Sequence, residues 1–204
     1  MFYWFYRHLE INIFQYITFR AGIAFFIAFI LTIFLLPKFV KWAKLKNASQ
    51  PIYEHAPQSH QNKAGTPTMG GVVFIFCTIV ATLLTAKLNN YYVGGALLLI
   101  GLFSLIGMQD DWSKITKNRN SAGLSARVKL ILQILASFAV VYVLYCYNHT
   151  TTLYAPFYKN PLIDMGYFSF AFWILVMVAA SNAVNLTDGL DGLASGPTVV
   201  TSAV

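Results

Sequence analysis

Acidic side chains are scarce in this chain. Seven aspartates and glutamates stand among 204 residues, and all charged residues together make up 10%, where a soluble domain carries roughly 25%. So thin a supply of charge excludes an ordinary water-exposed surface. Cysteine is nearly missing too: Cys77 and Cys146 both lie inside apolar runs and read as small packing residues, with no disulfide framework or Cys/His zinc spacing. No Walker-type glycine loop is present. Basic residues are not interleaved with aromatics on a soluble module, so no nucleic-acid partner is expected. No polar stretch exceeds about thirty residues, which leaves no room for a soluble domain.

What the chain has instead is hydrophobic length. Apolar residues reach 57% and the mean hydropathy is +0.60. Five long apolar runs lie near 21–36, 69–86, 91–108, 130–147 and 165–184, and 193–204 begins another. Each complete run approaches the ~20 residues a helix needs to cross a hydrocarbon core. None alternates in polarity as barrel strands do. The expected fold is an all-α polytopic membrane bundle of five transmembrane helices and the start of a sixth. The whole of 1–204 reads as part of one membrane domain. The first run lies behind aromatic and polar residues and ends at Pro37 and a lysine cluster, so it is no cleavable signal peptide.

The 14 Lys and Arg residues orient the bundle. Five lysines (38, 41, 44, 46 and 63) fall in 37–68, and Lys114, Lys117, Arg119, Arg127 and Lys129 fall in 109–129. Positive loops face the cytoplasm, so these two loops are expected inside and the N-terminus outside. By alternation, 185–192 returns to the cytoplasmic side.

Against that background the acids are conspicuous. Four of the seven form two close pairs, Asp110/Asp111 in "GMQDDWSK" and Asp188/Asp191 in "NAVNLTDGLDGLA". Both pairs sit at the cytoplasmic ends of apolar runs. A charged residue within a membrane helix costs roughly 2.5–3.5 kcal/mol on insertion scales and usually faces a cavity or a site. Adjacent carboxylates suit Mg²⁺, a hard ion held by one or two carboxylates together with substrate phosphates. A like-charged neighbour also leaves one acid able to work as a base. Around the second pair, Asn182, Asn185 and Thr187 add amide and hydroxyl groups, while Gly189 and Gly192 let backbone amides approach a ligand. A third cluster, "HQNKAGTPTMGG" at 60–71, carries Lys63 and Thr68 ahead of a helix start. A helix N-terminus is a natural anion site. Together the three clusters point to phosphoryl transfer at the membrane boundary. A transporter, the reading from another class, predicts acids near the bilayer midplane, whereas these lie at helix ends.

At these residues the chain resembles the polyprenyl-phosphate N-acetylhexosamine-1-phosphate transferases, and within them the muramoyl-pentapeptide branch. "GMQDDWSK" is similar to the superfamily's Asp-Asp motif and "NAVNLTDGLDGLA" to its Asn/Asp motif. "HQNKAGTPTMGG" and "GLSARVKL" at 123–130 resemble the branch. Met108 departs from the pattern, an aromatic being commoner there. The resemblance implies transfer of phospho-MurNAc-pentapeptide from UDP-MurNAc-pentapeptide to undecaprenyl phosphate, giving lipid I and UMP for peptidoglycan, with Mg²⁺ as cofactor. A transferase using another UDP-N-acetylhexosamine is the alternative. It further implies Asp110 or Asp111 as base, orienting group or metal ligand, with covalent aspartyl-phosphate chemistry left open. Asn185, Asp188 and Asp191 would shape the nucleotide site, and Lys63 and Thr68 would meet phosphate or uridine. The implied setting is the bacterial inner membrane among its lipids, with a homodimer suggested. Family members add a His-rich motif and a further aspartate near the magnesium in later loops, expected here beyond Val204. This chain is therefore expected to be an N-terminal part, inactive alone.

Overall fold

The computed structural model describes residues 2–46, 69–117, 123–147, 151–155, 157–187, 194–195 and 198–199. The chain divides into two compact units, 1–129 and 130–204.

The first unit opens with α1 (Phe2–Leu9) and a 3-10 turn (Asn12–Gln15), followed by the long α2 (Ile17–Leu45). α3 (Gly71–Thr85) and α4 (Tyr91–Lys117) come next. α5 (Ala126–Cys146) then leads from the first unit into the second. The second unit adds the antiparallel pair β1 (Thr152–Leu153) and β2 (Ile163–Asp164), then α6 (Phe168–Thr187).

All five complete apolar runs are helical, with shifted ends. Pro37 does not stop the first: α2 continues through it to Leu45, so Lys38, Lys41 and Lys44 stand on a helix rather than in the expected 37–68 loop. A proline in such a helix forfeits one backbone hydrogen bond, a loss that membrane helices accommodate. α4 likewise runs nine residues past the apolar stretch and carries both aspartates on its final turns. α2, α4, α5 and α6 are long and apolar enough to cross a membrane. α3 is shorter than its run, at 15 residues. It starts only after Met69, whose φ of 68° breaks the helical path, and it ends in the Lys87–Asn90 turn. Asn90 starts α4 by accepting the Tyr92 N–H on its side-chain oxygen at 2.9 Å, a standard N-terminal cap. Of the expected start of a sixth span, from residue 193 to Val204, only 194–195 and 198–199 are among the described residues.

The outward faces are apolar. Phe25, Phe26, Phe29, Ile33 and Phe34 on α2 are each more than half exposed, a surface that only lipid or further protein could cover favourably. The inward faces are small. Val73, Cys77, Ala81 and Thr85 form the buried stripe of α3 at a spacing of four, and Ala43 of α2 is completely enclosed. α3 packs chiefly against α2, because such side chains let helix backbones approach closely. At one end of this unit, buried Arg20 donates to the carbonyls of Phe14 and Gln15 at 2.6 and 2.7 Å. Its guanidinium lies 5.2 Å from the Tyr3 ring, with Lys87 Nζ 5.3 Å from that ring. The shared ring ties the N-terminal segment to the α3–α4 turn.

In the second unit, Tyr145 of α5 meets Phe170 of α6 with ring centroids 4.9 Å apart. The small sheet between them was not expected from the sequence. Asp164 closes it by accepting hydrogen bonds from the Thr151 hydroxyl and, at 3.1 Å, from the Gly166 N–H. Those two donors hold the Asp164 carboxyl below the usual carboxylate range. Gly166 has φ +50°, the left-handed region that favours glycine.

Candidate active site

The core of the site is the C-terminal end of α4. Successive helical residues are about 100° apart around the axis, so Asp110 and Asp111 point to different surroundings. Asp110 is 7% exposed. Its Oδ2 accepts from Lys114 Nζ at 2.7 Å, one turn along the helix. Its Oδ1 accepts the backbone N–H of Leu124 at 2.7 Å, from the chain just before α5. Both carboxylate oxygens therefore have partners. Asp111 keeps more freedom: its side chain is 34% exposed, and Lys114 Nζ lies 3.5 Å from its Oδ1.

Asp111 also stands at the rim of a cavity of about 830 Å³ between α3 and α4. The walls are apolar and include Phe74, Ile79, Phe103 and Leu105. Met69 and Gly71, from the end of the "HQNKAGTPTMGG" cluster, line the same space. Two of the three motifs thus converge on one cavity through Met69, Gly71 and Asp111. Lys63, Thr68 and His60 of that cluster lie outside the described residues, as do Asp188 and Asp191. Asn185 is exposed near the C-terminal end of α6, in the second unit.

Asn182 has a structural job. Its side-chain amide donates to Gln133 Oε1 at 2.8 Å and to the Val178 carbonyl at 2.9 Å, while Gln133 Nε2 reaches Ser181 at 3.4 Å. Gln133 is 3% exposed, so this clasp joins α5 to α6 inside the second unit. Asn182→Ala in the full-length protein is expected to lower stability by about 1–2 kcal/mol. Unfolding in mixed micelles should show this, with the loss far from additive with that of Gln133→Ala.

Three groups that the motif reading left without a role help to build the site: Lys114, Gly123 and the Leu124 amide. Lys114 was visible in sequence as an i,i+4 partner of Asp110. The other two carried no side-chain signal. As for a metal, the described residues contain no cluster of three or more His, Cys, Asp or Glu. The donors present are carboxylate oxygens, which suit Mg²⁺ completed by substrate phosphates. Asp111 fits that part better than Asp110, whose oxygens are already engaged.

Four helices long and apolar enough to cross a membrane, with aromatics exposed on their outer faces, define a multi-pass membrane protein, and one of them, α4, carries a carboxylate pair beside an apolar cavity. Residues 93–204 match glycosyl transferase family 4, and the chain belongs to that family. Residues 63–75 match phospho-N-acetylmuramoyl-pentapeptide-transferase signature 1. Similar proteins of that name include those of Aliarcobacter butzleri (64% identical), Nitratiruptor sp. (59%) and Sulfurimonas denitrificans (55%). Each comparison covers 98% of this chain and 57% of the relative. The chain thus spans a little over half the length of these relatives.

Proposed function

We propose that the full-length protein transfers phospho-MurNAc-pentapeptide from UDP-MurNAc-pentapeptide to undecaprenyl phosphate, releasing UMP and forming lipid I for peptidoglycan. The observation that carries this reading is Asp111 on the rim of an apolar cavity, beside Lys114, in a chain matching the muramoyl signature at 63–75. A phosphate at the head of a lipid needs that combination: an apolar wall for the chain, and charged groups at its end.

In the reaction, an oxygen of the lipid phosphate attacks the β-phosphorus of the nucleotide sugar. The new P–O bond forms as the bond from β-phosphorus to the bridging oxygen breaks, and UMP leaves with the electron pair. Such a transfer is catalysed mainly by positioning and by neutralising charge. Asp111 orients the attacking phosphate or accepts its proton, and Lys114 supplies positive charge 3.5 Å from that carboxylate. Asp111, with Asp110 supporting it, would hold Mg²⁺, which would supply Lewis-acid neutralisation of the pyrophosphate charge. Lys63 and Thr68 meet phosphate or uridine, while Asn185, Asp188 and Asp191 shape the nucleotide site.

This reading places the site on the cytoplasmic face of the bacterial inner membrane, with the segments around 37–68, 109–129 and 185–192 on that side. The shared Tyr3 contact of Arg20 and Lys87 supports the alternation, since it puts the start of α2 and the α3–α4 turn at one end. A homodimer belongs to the same reading. Offered UDP-MurNAc-pentapeptide and UDP-GlcNAc separately, the full-length protein should release UMP with the first. Release with UDP-GlcNAc alone would overturn the muramoyl assignment in favour of a related transferase.

A further inference from the structure

We infer that Gly123 and the Leu124 backbone amide are the positioning element for Asp110, and through Lys114 for the neighbouring Asp111. The catalytic half of this inference rests on the transfer reading above; the structural half stands without it.

Three observations meet at one carboxylate. The Leu124 N–H lies 2.7 Å from Asp110 Oδ1, across 14 residues of sequence. Lys114 takes the other oxygen at 2.7 Å. A Cβ on Gly123 would fall 2.5 Å from that same Oδ1 and 2.7 Å from Lys114 Cε. A side chain at 123 would therefore push the Asp110 carboxylate and Lys114 out of this arrangement, although the backbone φ there is not in the left-handed region. Gly94, Gly101 and Gly107 on α4 have open space where a Cβ would go, so the constraint is local to the carboxylate.

The chemistry explains why the contact is worth keeping. A buried carboxylate must have its oxygens satisfied or it is strongly unfavourable. The Leu124 amide provides a donor that cannot titrate and is fixed by the helix that follows. Ser125 reinforces it by capping α5, accepting the Val128 N–H on its hydroxyl at 3.4 Å. With Asp110 held at both oxygens, Lys114 has a fixed anchor and stands at a set distance from Asp111. Asp111 then meets the substrate from a preorganised frame. Asp110 and Gly123 act through it as positioning residues.

The test uses the full-length protein and two readouts. Hydrogen exchange at the Leu124 amide reports the contact, and the split between kcat and donor KM reports positioning. Gly123→Ala should speed that exchange by about tenfold or more. It should also lower kcat by about tenfold or more while donor KM stays within about threefold. Asp110→Asn keeps an oxygen acceptor and should retain the protection that Asp110→Ala loses, which covers the case of poor folding in the glycine variant. Gly94→Ala should match wild type in both readouts. Equal exchange in wild type, Gly123→Ala and Asp110→Ala would overturn the contact. A freed amide in Gly123→Ala with unchanged kcat would overturn the positioning role. Absence of UMP release from wild type would overturn the transfer reading alone, and the exchange comparison would still decide the contact.

Discussion

Asp111→Asn in the full-length protein is expected to reduce UMP release by about 10²–10⁴-fold, the range typical for losing a group that moves or orients a proton in the transition state. The amide keeps the size of the side chain but removes the charge from the cavity rim, where Asp111 stands 3.5 Å from Lys114. Folding should survive, because this side chain is 34% exposed and makes no hydrogen bond as tight as those of Asp110. A thermal-stability measurement on the same sample separates the two effects. Turnover within threefold of wild type would remove Asp111 from the chemistry and leave it a surface residue of α4.

The largest structural effect is expected at Cys77, at the centre of the α3 stripe and completely buried. Cys77→Leu adds volume where Val73, Ala81 and Thr85 continue the same enclosed face and where α3 meets α2. Overpacking of this kind destabilises by about 1–3 kcal/mol. The variant should unfold at lower denaturant in mixed micelles, while Phe76→Leu on the half-exposed side of the same helix should change little. Equal stability in Cys77→Leu and wild type would show that α2 and α3 are not closely packed.

The membrane bundle was legible in the sequence because its signal is length. Apolar runs at 91–108, 130–147 and 165–184 became α4, α5 and α6 with ends moved by a few residues, or by nine at the end of α4. α2 and α4 run on because polar residues can stay helical past an apolar stretch, as Lys38 through Lys44 do on α2. β1 and β2 escaped notice because two residues cannot show an alternating pattern.

Within the site, the Asp110/Asp111 pair was legible from its rarity. Their different surroundings were not, since these depend on which way each side chain leaves α4. Leu124 contributes a backbone N–H, which has no sequence signature, and Gly123 contributes only the absence of a side chain. Asn182 shows the opposite error. Its chemistry resembled that of a ligand-binding amide, but Gln133, 49 residues earlier, takes its hydrogen bond.

The central claim is that the acid pair at the end of α4 serves a phospho-sugar transfer to a lipid. The direct measurement gives the full-length protein UDP-MurNAc-pentapeptide labelled in its sugar, undecaprenyl phosphate and Mg²⁺, and follows the label into the organic phase. Label should move into lipid with one UMP released for each labelled lipid, and both should fall together in Asp111→Asn. Label that stays in the aqueous phase, or lipid labelling undiminished in Asp111→Asn, would contradict the account.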